Sequence, residues 1–185
     1  MIKLVANDQG QSRDPIVNRN IMSLILESNF EIRVAKETFK FNAAHFVAFK
    51  GFRERIHGHN YTVSVRLIGS KKIYSDGYVL DFGDVKGITR KVCKELNEHF
   101  LCPMYSDVMT ILVQTDPCTN NKSVHITCED GAVFVFPESD CSMLPIIHAT
   151  TEELAVYLWG RIIHGLDPKI LLERSVKSIE VSFNS

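Results

Sequence analysis

The 185-residue sequence lacks an excess of charge of either sign: 21 Lys and Arg residues face 22 Asp and Glu, and the formal net charge is −1. A protein whose main task is to coat nucleic acid or an acidic membrane surface carries a strong basic excess. The sequence also lacks a long hydrophobic run, because no window approaches the roughly 18 apolar residues of a membrane span. We therefore expect neither nucleic acid nor a membrane as a partner.

Paired cysteines are also missing. The chain has five cysteines, an odd number, and none of them forms a C-x-x-C pair. This argues against a disulfide framework and against a cysteine-type zinc site, and it favours a reducing compartment. Residues 1–5 are too short an apolar run for a signal peptide, so we expect a cytoplasmic protein.

The neutral total charge conceals a local imbalance. Residues 31–72 carry nine Lys and Arg against three Asp and Glu, a local charge of +6. Residues 73–185 carry nine against sixteen, a local charge of −7. A site for an anion is therefore compatible with the neutral sum, and it is expected in the first of these two segments.

The pattern along the chain predicts one domain over 31–185, preceded by an N-terminal extension over 1–30 with a possible helical turn at 21–26. Within the domain, apolar residues alternate over 32–45 and again over 57–67. Period-two alternation is typical of strands with one buried face. We predict two adjacent strands with a basic loop between them.

Helical periods follow in two places. One predicted helix covers 84–96 with Asp84 as its N-cap, and a second opens at 150–153, where two threonines precede two glutamates. A last strand is predicted over 176–183. Residues 100–149 are the least regular stretch, within which a hairpin is predicted over 124–136 with an Asp-Gly turn. The mixture of strands and helices in this order predicts an α+β domain.

Three histidines carry the strongest chemical signal. His57 and His59 are two residues apart, and on a strand this spacing points both imidazoles to the same side. His45 lies in the same phase on the preceding strand. Three neutral imidazoles without a fourth protein ligand are typical of a catalytic zinc site, because the open position accepts water or substrate.

Six motifs in this order and spacing resemble the 6-pyruvoyl-tetrahydropterin synthase family, over roughly residues 33–101 and 145–183. Residues 1–30 and 103–147 lie outside the resemblance, which therefore implies an insertion over about 103–147. They are F-N-A-A-H at 41–45, H-G-H-N-Y at 57–61, V-L-D-F-G-D-V-K at 79–86, N-E-H at 97–99, A-T-T-E at 149–152 and the late Glu180.

The resemblance implies a T-fold, in which an antiparallel four-stranded sheet carries two helices on one face. It also implies trimers that pair into a homohexamer, and a pterin pocket at a subunit interface. Zn²⁺ is implied at His45, His57 and His59, and the family's typical substrate is 7,8-dihydroneopterin triphosphate. Basic residues near the histidines are candidates to neutralise the triphosphate, each also compatible with an ordinary surface charge: Lys36, Lys40, Lys50, Arg53 and Arg55.

The chain departs from the family at the catalytic base. Animal and bacterial synthases use a cysteine a few residues before H-G-H, whereas this chain has no cysteine before Cys93. Glu54, three residues before His57, resembles the glutamate that replaces that cysteine in variant synthases of malaria parasites and various bacteria. Without the resemblance, Glu54 between two arginines would be interpreted as an exposed loop charge.

The remaining site residues also come from the resemblance. His99 with Glu98 stands where the family usually has Asp-His, a pair that relays protons; alone, His99 is equally compatible with a histidine at a helix C-terminus. Glu180 matches the glutamate that binds the amino-pyrimidine edge of the pterin. The segment Thr150, Thr151 and Glu152 matches residues that line the pterin pocket, and is equally typical of a helix N-terminus.

The leading hypothesis is a zinc-dependent lyase of 7,8-dihydroneopterin triphosphate. Two products are considered, 6-pyruvoyl-tetrahydropterin and 6-hydroxymethyl-7,8-dihydropterin, and the glutamate variant favours the second. One alternative is a 6-carboxytetrahydropterin synthase of the queuosine pathway, which would also need the missing cysteine. The other is a T-fold protein that binds a pterin or purine without turning it over.

Overall fold

The computed structural model describes residues 2–4, 29–70 and 74–184. The predicted helical turn at 21–26 lies outside the described residues. Within them, no helix has the length and apolar composition that crossing a membrane requires. The strands and helices are β1 (Ile2–Leu4), β2 (Asn29–His45), β3 (Ala48–Phe49), β4 (Phe52–Arg53), β5 (His57–Ser70), α1 (Phe82–Leu96), β6 (His99–Pro103), β7 (Met109–Thr115), β8 (Lys122–Cys128), β9 (Val133–Pro137), β10 (Cys141–Leu144), α2 (Thr151–Gly165), α3 (Pro168–Glu173) and β11 (Val176–Asn184).

The main sheet has the strand order β10-β6-β2-β5-β11, and β1 pairs with β2. The two predicted strands are β2 and β5, which pair antiparallel, as do β5 and β11. The α+β class is confirmed. The sheet is larger than the expected four antiparallel strands, because β6 pairs with β2, and β10 with β6, in parallel.

The helices α1 and α2 pack on one face of this sheet, as predicted, and the short α3 is an addition. Helix α1 begins earlier than expected: its N-cap is Asp81, whose carboxylate accepts a hydrogen bond from the Gly83 N–H, and Asp84 lies inside its first turn. Thr150 caps α2, as its Oγ1 accepts from the Glu153 N–H. Both caps satisfy donors that the helix itself leaves free.

Strand β2 contains a bulge that changes which residues face the core. Ala35 pairs with Ser64 and Lys40 with Thr62, so three extra residues loop out of β2. Buried positions are therefore even-numbered before the bulge, as at Val34, and odd-numbered after it, as at Phe41. This shift brings the end of β2 into phase with the odd-numbered buried positions of β5.

The insertion forms a second, three-stranded sheet, β7-β8-β9, which we call the inserted sheet. The predicted hairpin corresponds to β8 and β9, with Gly131 at a φ of 82° in the turn. Strand β7 was not predicted. The inserted sheet packs its apolar side on Phe46 and Phe100, residues of the loop after β2 and of β6. It therefore lies directly beside the end of β2 that carries His45.

Candidate active site

The register of β2 and β5 brings the three histidines together. His45 lies directly opposite His57, and Ala43 lies opposite His59. The centroids of the His45 and His57 rings are 4.7 Å apart, and those of His57 and His59 are 5.0 Å apart. One nitrogen of each ring lies within 4.8 Å of the others. These positions confirm the prediction from the period-two spacing that the three imidazoles lie on the same side of the two strands.

Backbone carbonyls fix the orientation of two of the rings. His45 Nδ1 donates to the carbonyl oxygen of Ala149 at 2.8 Å, and His57 Nδ1 donates to that of Arg55 at 2.8 Å. A carbonyl only accepts, so Nδ1 carries the proton in both rings and Nε2 keeps its lone pair. Such second hydrogen bonds are the usual support of histidine metal ligands.

The environment of His45 favours the neutral ring. Its side chain is 6% exposed. Burial lowers its pKa, while the hydrogen bond to Ala149 and the charge of Glu54 oppose that shift. Neutral imidazole is the form that binds metals. Three imidazole nitrogens are a donor set that fits zinc. Zn–N bonds of about 2.1 Å would place the ligand nitrogens ~3.4 Å apart, whereas here they lie within 4.8 Å of one another, so the rings would move together by about 1 Å on binding.

Tyr61 belongs to the same cluster and was not among the predicted site residues. Its hydroxyl donates to Nε2 of His45 at 3.1 Å, and burial raises the pKa of this phenol to about 12. The sequence pattern could have indicated this residue, because Tyr61 follows His59 by two residues on the same strand and therefore lies on the same face.

Glu54 follows the small hairpin of β3 and β4. Its Oε2 accepts from the Val47 N–H at 3.0 Å, and its own N–H donates to the Val47 carbonyl at 2.9 Å. The side chain is half-buried rather than an exposed loop charge. Its negative charge acts to raise the pKa of His45, against the larger effect of burial, so the carboxylate lies within electrostatic reach of His45.

The basic residues of this region do not share one environment. Arg53 is half-buried and forms an ion pair with Asp130 of the inserted sheet at 2.8 Å. The other candidates for a triphosphate contact are exposed: Lys36, Lys40, Lys50 and Arg55.

His99 and Glu98 lie at the start of β6. His99 is opposite Ala43, so it is two strands away from His59, or about 10 Å between their Cα atoms. His99 Nδ1 donates to the Asn97 carbonyl at 2.6 Å, which leaves Nε2 as an acceptor. Glu98 is exposed with a φ of 61°. Among the described residues, its carboxylate forms no hydrogen bond with His99, whose Nδ1 is bonded to Asn97 instead.

A cavity of about 470 Å³ opens beside this point, between the ends of β2, β5 and β6 and the inserted sheet. It is bordered by both Glu98 and His99, and by His59 of the metal cluster. Other residues that line it are Asn42, Asn60, Phe136 and Asp140.

The threonine segment lies next to the histidines because Ala149, which precedes it, binds His45. Thr150 acts as the N-cap of α2, and Thr151 and Glu152 are exposed in the first turn. A further hydrogen bond joins this segment to β3, because His148 Nδ1 donates to the Ala48 carbonyl at 2.9 Å.

Glu180 is not brought to the histidines within one chain. It pairs with Arg66, seven residues beyond His59 on β5, which corresponds to about 23 Å along the strand. Arg66 contacts both of its carboxylate oxygens, at 3.0 and 2.8 Å, and also pairs with Glu31. As Glu180 and Arg66 lie on the face opposite to the buried one, the two clusters are on different sides of the sheet.

Residues 33–184 match the family described as 6-pyruvoyl tetrahydropterin synthase. The chain belongs to this family. Among curated proteins, it is 30% identical over 145 residues to a putative 6-carboxy-5,6,7,8-tetrahydropterin synthase of Methanocaldococcus jannaschii, covering 78% of this chain and 83% of that protein. It is 29% identical over 114 residues to the 6-carboxy-5,6,7,8-tetrahydropterin synthase of Haemophilus influenzae, covering 56% and 79%.

Solved structures of synthases from two malaria parasites are similar to this chain in fold and sequence. The 6-pyruvoyl tetrahydropterin synthase of Plasmodium falciparum is 42% identical with a TM-score of 0.73, covering 83% of this chain and 90% of that one. A Plasmodium vivax synthase is 46% identical with the same coverage and TM-score, and is described as a catalytic-residue mutant with a glutamate replaced by alanine. The expected T-fold is confirmed by these similarities.

Proposed function

We propose that the protein is a zinc-dependent lyase acting on 7,8-dihydroneopterin triphosphate, with Glu54 as the catalytic base. The observation that carries this proposal is the position of the Glu54 carboxylate, which is half-buried and accepts a hydrogen bond from the Val47 N–H, two residues after His45. No cysteine precedes Cys93 in the sequence. The P. vivax synthase with a catalytic glutamate supports the same assignment.

His45, His57 and His59 would hold the metal through ring nitrogens, two of which are already oriented by carbonyl groups. Zinc at this site would supply a Lewis acid that acidifies the side-chain hydroxyls of the substrate. Glu54 then accepts a proton from the substrate side chain. The Val47 N–H holds its Oε2 in place, so the other carboxylate oxygen is available as the acceptor.

His99 is proposed to return the proton. Its Nδ1 is committed to the Asn97 carbonyl, so Nε2 is the nitrogen that exchanges protons. Glu98 borders the same cavity and would orient His99 once substrate fills that space.

The pterin ring is proposed to bind between chains. Thr150, Thr151 and Glu152 are adjacent to the metal cluster, while Glu180 is about 23 Å away from it in the same chain. Glu180 would therefore serve the site of a neighbouring copy in a homohexamer built from two trimers. Members of this family act on pterins and are oligomeric, which agrees with a shared site.

The product is proposed to be 6-hydroxymethyl-7,8-dihydropterin, a folate precursor, or 6-pyruvoyl-tetrahydropterin. A second candidate function is 6-carboxytetrahydropterin synthesis, favoured by the names of the two curated relatives. The lack of a cysteine before H-G-H argues against it.

The test is incubation of the purified protein with 7,8-dihydroneopterin triphosphate, with and without a chelator, followed by chromatography of the pterins. We expect one or both of the first two products, and their loss on chelation. A 6-carboxy product would favour the second function, and the absence of all three would contradict both.

Glu54→Gln provides the residue-level test, because it keeps the size of the side chain and removes the base. We expect turnover to fall at least about 100-fold, a typical effect of losing a general base, with pterin affinity retained. Glu95→Gln, which changes an exposed carboxylate paired with Arg161, is the matched control. Unchanged turnover in Glu54→Gln would refute the base assignment.

A further inference from the structure

Arg53 joins the inserted sheet to the loop that carries Glu54. Arg53 directly precedes Glu54, and its Nε donates to Asp130 Oδ2 at 2.8 Å. Its Nη1 donates to the backbone carbonyl of Glu54 at 2.9 Å. One guanidinium therefore connects a carboxylate in the β8–β9 turn to the main chain of the proposed base.

The guanidinium is held by more than the ion pair. It stacks over two rings, with its central carbon 5.4 Å from the centroid of Phe134 and 5.8 Å from that of Phe46. The Arg53 side chain is 20% exposed. An arginine that is confined between aromatic rings loses less freedom on pairing than one in open solvent, so this contact is stronger than a typical surface ion pair.

Asp130 is itself fixed by its turn. Its Oδ1 accepts from the Ala132 N–H at 3.1 Å, while Oδ2 remains for Arg53. The Ala132 hydrogen bond and the Arg53 pair hold the pKa of this carboxyl below its ordinary value. Asp130 is therefore an anion in a defined position, supported by a turn that requires Gly131 at a positive φ.

A second contact joins the same two segments. Glu129 Oε2 accepts from the Gly51 N–H at 3.1 Å, at the tip of the β3–β4 hairpin. Gly51 has a φ of 79°, so the tip adopts a conformation that favours glycine. The two acidic residues of the turn thus contact the tip of the hairpin, at Gly51, and its last residue, Arg53.

We propose that Asp130 is a positioning residue for Glu54, which it holds through Arg53. This inference rests on the proposed function of Glu54 as the base. It gives the inserted sheet a role in the reaction, namely to keep the β3–β4 hairpin and the base next to the histidines. It also assigns Arg53 to this contact rather than to the substrate triphosphate.

The two roles for Arg53 predict different kinetics. An arginine that binds the triphosphate raises KM when it is removed, whereas an arginine that positions the base lowers kcat. Asp130→Asn is the most direct variant, because the amide oxygen still accepts from Ala132 and the turn is retained. We expect kcat to fall roughly 10-fold and KM to change less than about 2-fold, as for a modest displacement of a catalytic group.

Three further variants complete the test. Asp130→Glu keeps the charge and should recover most of kcat. Arg53→Met keeps the contact with the rings, and combining it with Asp130→Asn should lower kcat no further than Arg53→Met alone, because the aspartate acts through the arginine. Glu138→Gln breaks the exposed pair with Lys122 in the inserted sheet and should leave kcat unchanged.

Amide hydrogen exchange gives a readout that does not depend on the reaction. In Asp130→Asn, exchange of the Glu54 N–H, which is bonded to the Val47 carbonyl, should be at least several-fold faster than in Glu138→Gln, with zinc content unchanged. Exchange equal to the control, or an additive loss of kcat in the double variant, would overturn the inference. If wild-type protein converts no dihydroneopterin triphosphate but exchange still rises, the proposed function fails and the positioning contact stands.

Discussion

The two polar clusters of β5 differ in burial and in how their groups are satisfied. At its beginning, His57 and His59 meet a buried His45, and backbone carbonyls orient the rings. Further along, Arg66 binds Glu180 and Glu31, with the Arg66 and Glu180 side chains 39% and 51% exposed. The first cluster holds one nitrogen of each ring within 4.8 Å of the others, whereas the second pairs one guanidinium with two carboxylates.

This difference indicates what each cluster requires. In the histidine cluster, His45 is buried and the tautomers of His45 and His57 are fixed, which reduces the reorganisation that metal binding would require within one chain. The Arg66 and Glu180 side chains are largely open to solvent, and exposed ion pairs are screened by solvent. Under the proposed shared site, a neighbouring copy would cover this cluster.

The largest effect is expected from His57→Ala. The side chain is exposed, so its removal creates no cavity, but the cluster loses one of three nitrogens. Zinc content should fall from about one per chain to near zero, and kcat at least about 1000-fold, as for loss of a metal ligand. Metal analysis after dialysis and steady-state kinetics measure both.

His125→Ala is the control for that variant. His125 is a half-buried histidine of the inserted sheet whose Nε2 is bonded to Ser123, outside the cluster. It should retain zinc and activity. Stoichiometric zinc in His57→Ala would contradict the proposed metal site.

The second prediction tests whether the two clusters act in one site across chains. Glu180→Gln alone should lose most activity because the pterin would lose its proposed anchor, and His57→Ala should be inactive because it would lose the metal. If the site is shared, mixed oligomers contain some sites with both wild-type residues. Refolding the two variants together in equal amounts should therefore restore about a quarter of wild-type activity.

Each variant refolded alone provides the baseline for this experiment. Recovery above that baseline cannot arise if Glu180 serves the histidines of its own chain. Absence of recovery, with mixed oligomers demonstrated by mass spectrometry, would remove Glu180 from the shared site.

The histidine cluster was accessible from the sequence because strand periodicity is local. The spacing of His57 and His59 fixes their common face, and an antiparallel partner in phase supplies His45. The same reasoning found the β8–β9 hairpin from its Asp-Gly turn. Helix α1 was predicted correctly, but its N-cap was placed at Asp84 instead of Asp81. Aspartate is a favourable N-cap at either position, and only the fold selects between them.

Features set by long-range pairing were not accessible in this way. The parallel contact of β6 with β2 joins residues more than 50 positions apart, and nothing in either segment specifies it. The remoteness of Glu180 depends on the register of β11 against β5. The pairing of Arg53 with Asp130 depends on where the inserted sheet packs, which no local pattern indicates.

The third prediction concerns Tyr61, at the border of the histidine cluster. Its buried hydroxyl donates to the His45 nitrogen that a metal would bind, so the two interactions compete. Tyr61→Phe should lower the free energy of unfolding of the metal-free protein by about 1 kcal/mol, the value of a buried hydrogen bond. Zinc affinity should rise by up to about 5-fold, because no hydrogen bond is lost when the metal binds.

Urea unfolding in a chelator and competitive zinc titration measure these two quantities. Tyr157→Phe is the control, since that hydroxyl is half-buried on α2 and accepts from Arg161, away from the histidines. Weaker zinc binding in Tyr61→Phe would show instead that the hydroxyl supports the metal-bound state.

The smallest effects on stability are expected at the exposed cluster of Arg66, Glu180 and Glu31. Glu180→Gln removes one carboxylate from Arg66, and exposure limits its cost, so Tm should change by no more than about 2 °C. Arg66→Gln should lower Tm more than Glu180→Gln, because it leaves Glu31 and Glu180 beside each other without their shared cation. At about 1 M salt, where charges interact over only about 3 Å, the difference between the two variants should shrink. Thermal unfolding at low and high salt measures it, and a larger loss in Glu180→Gln than in Arg66→Gln would mean that Glu180 has a structural role as well as a binding one.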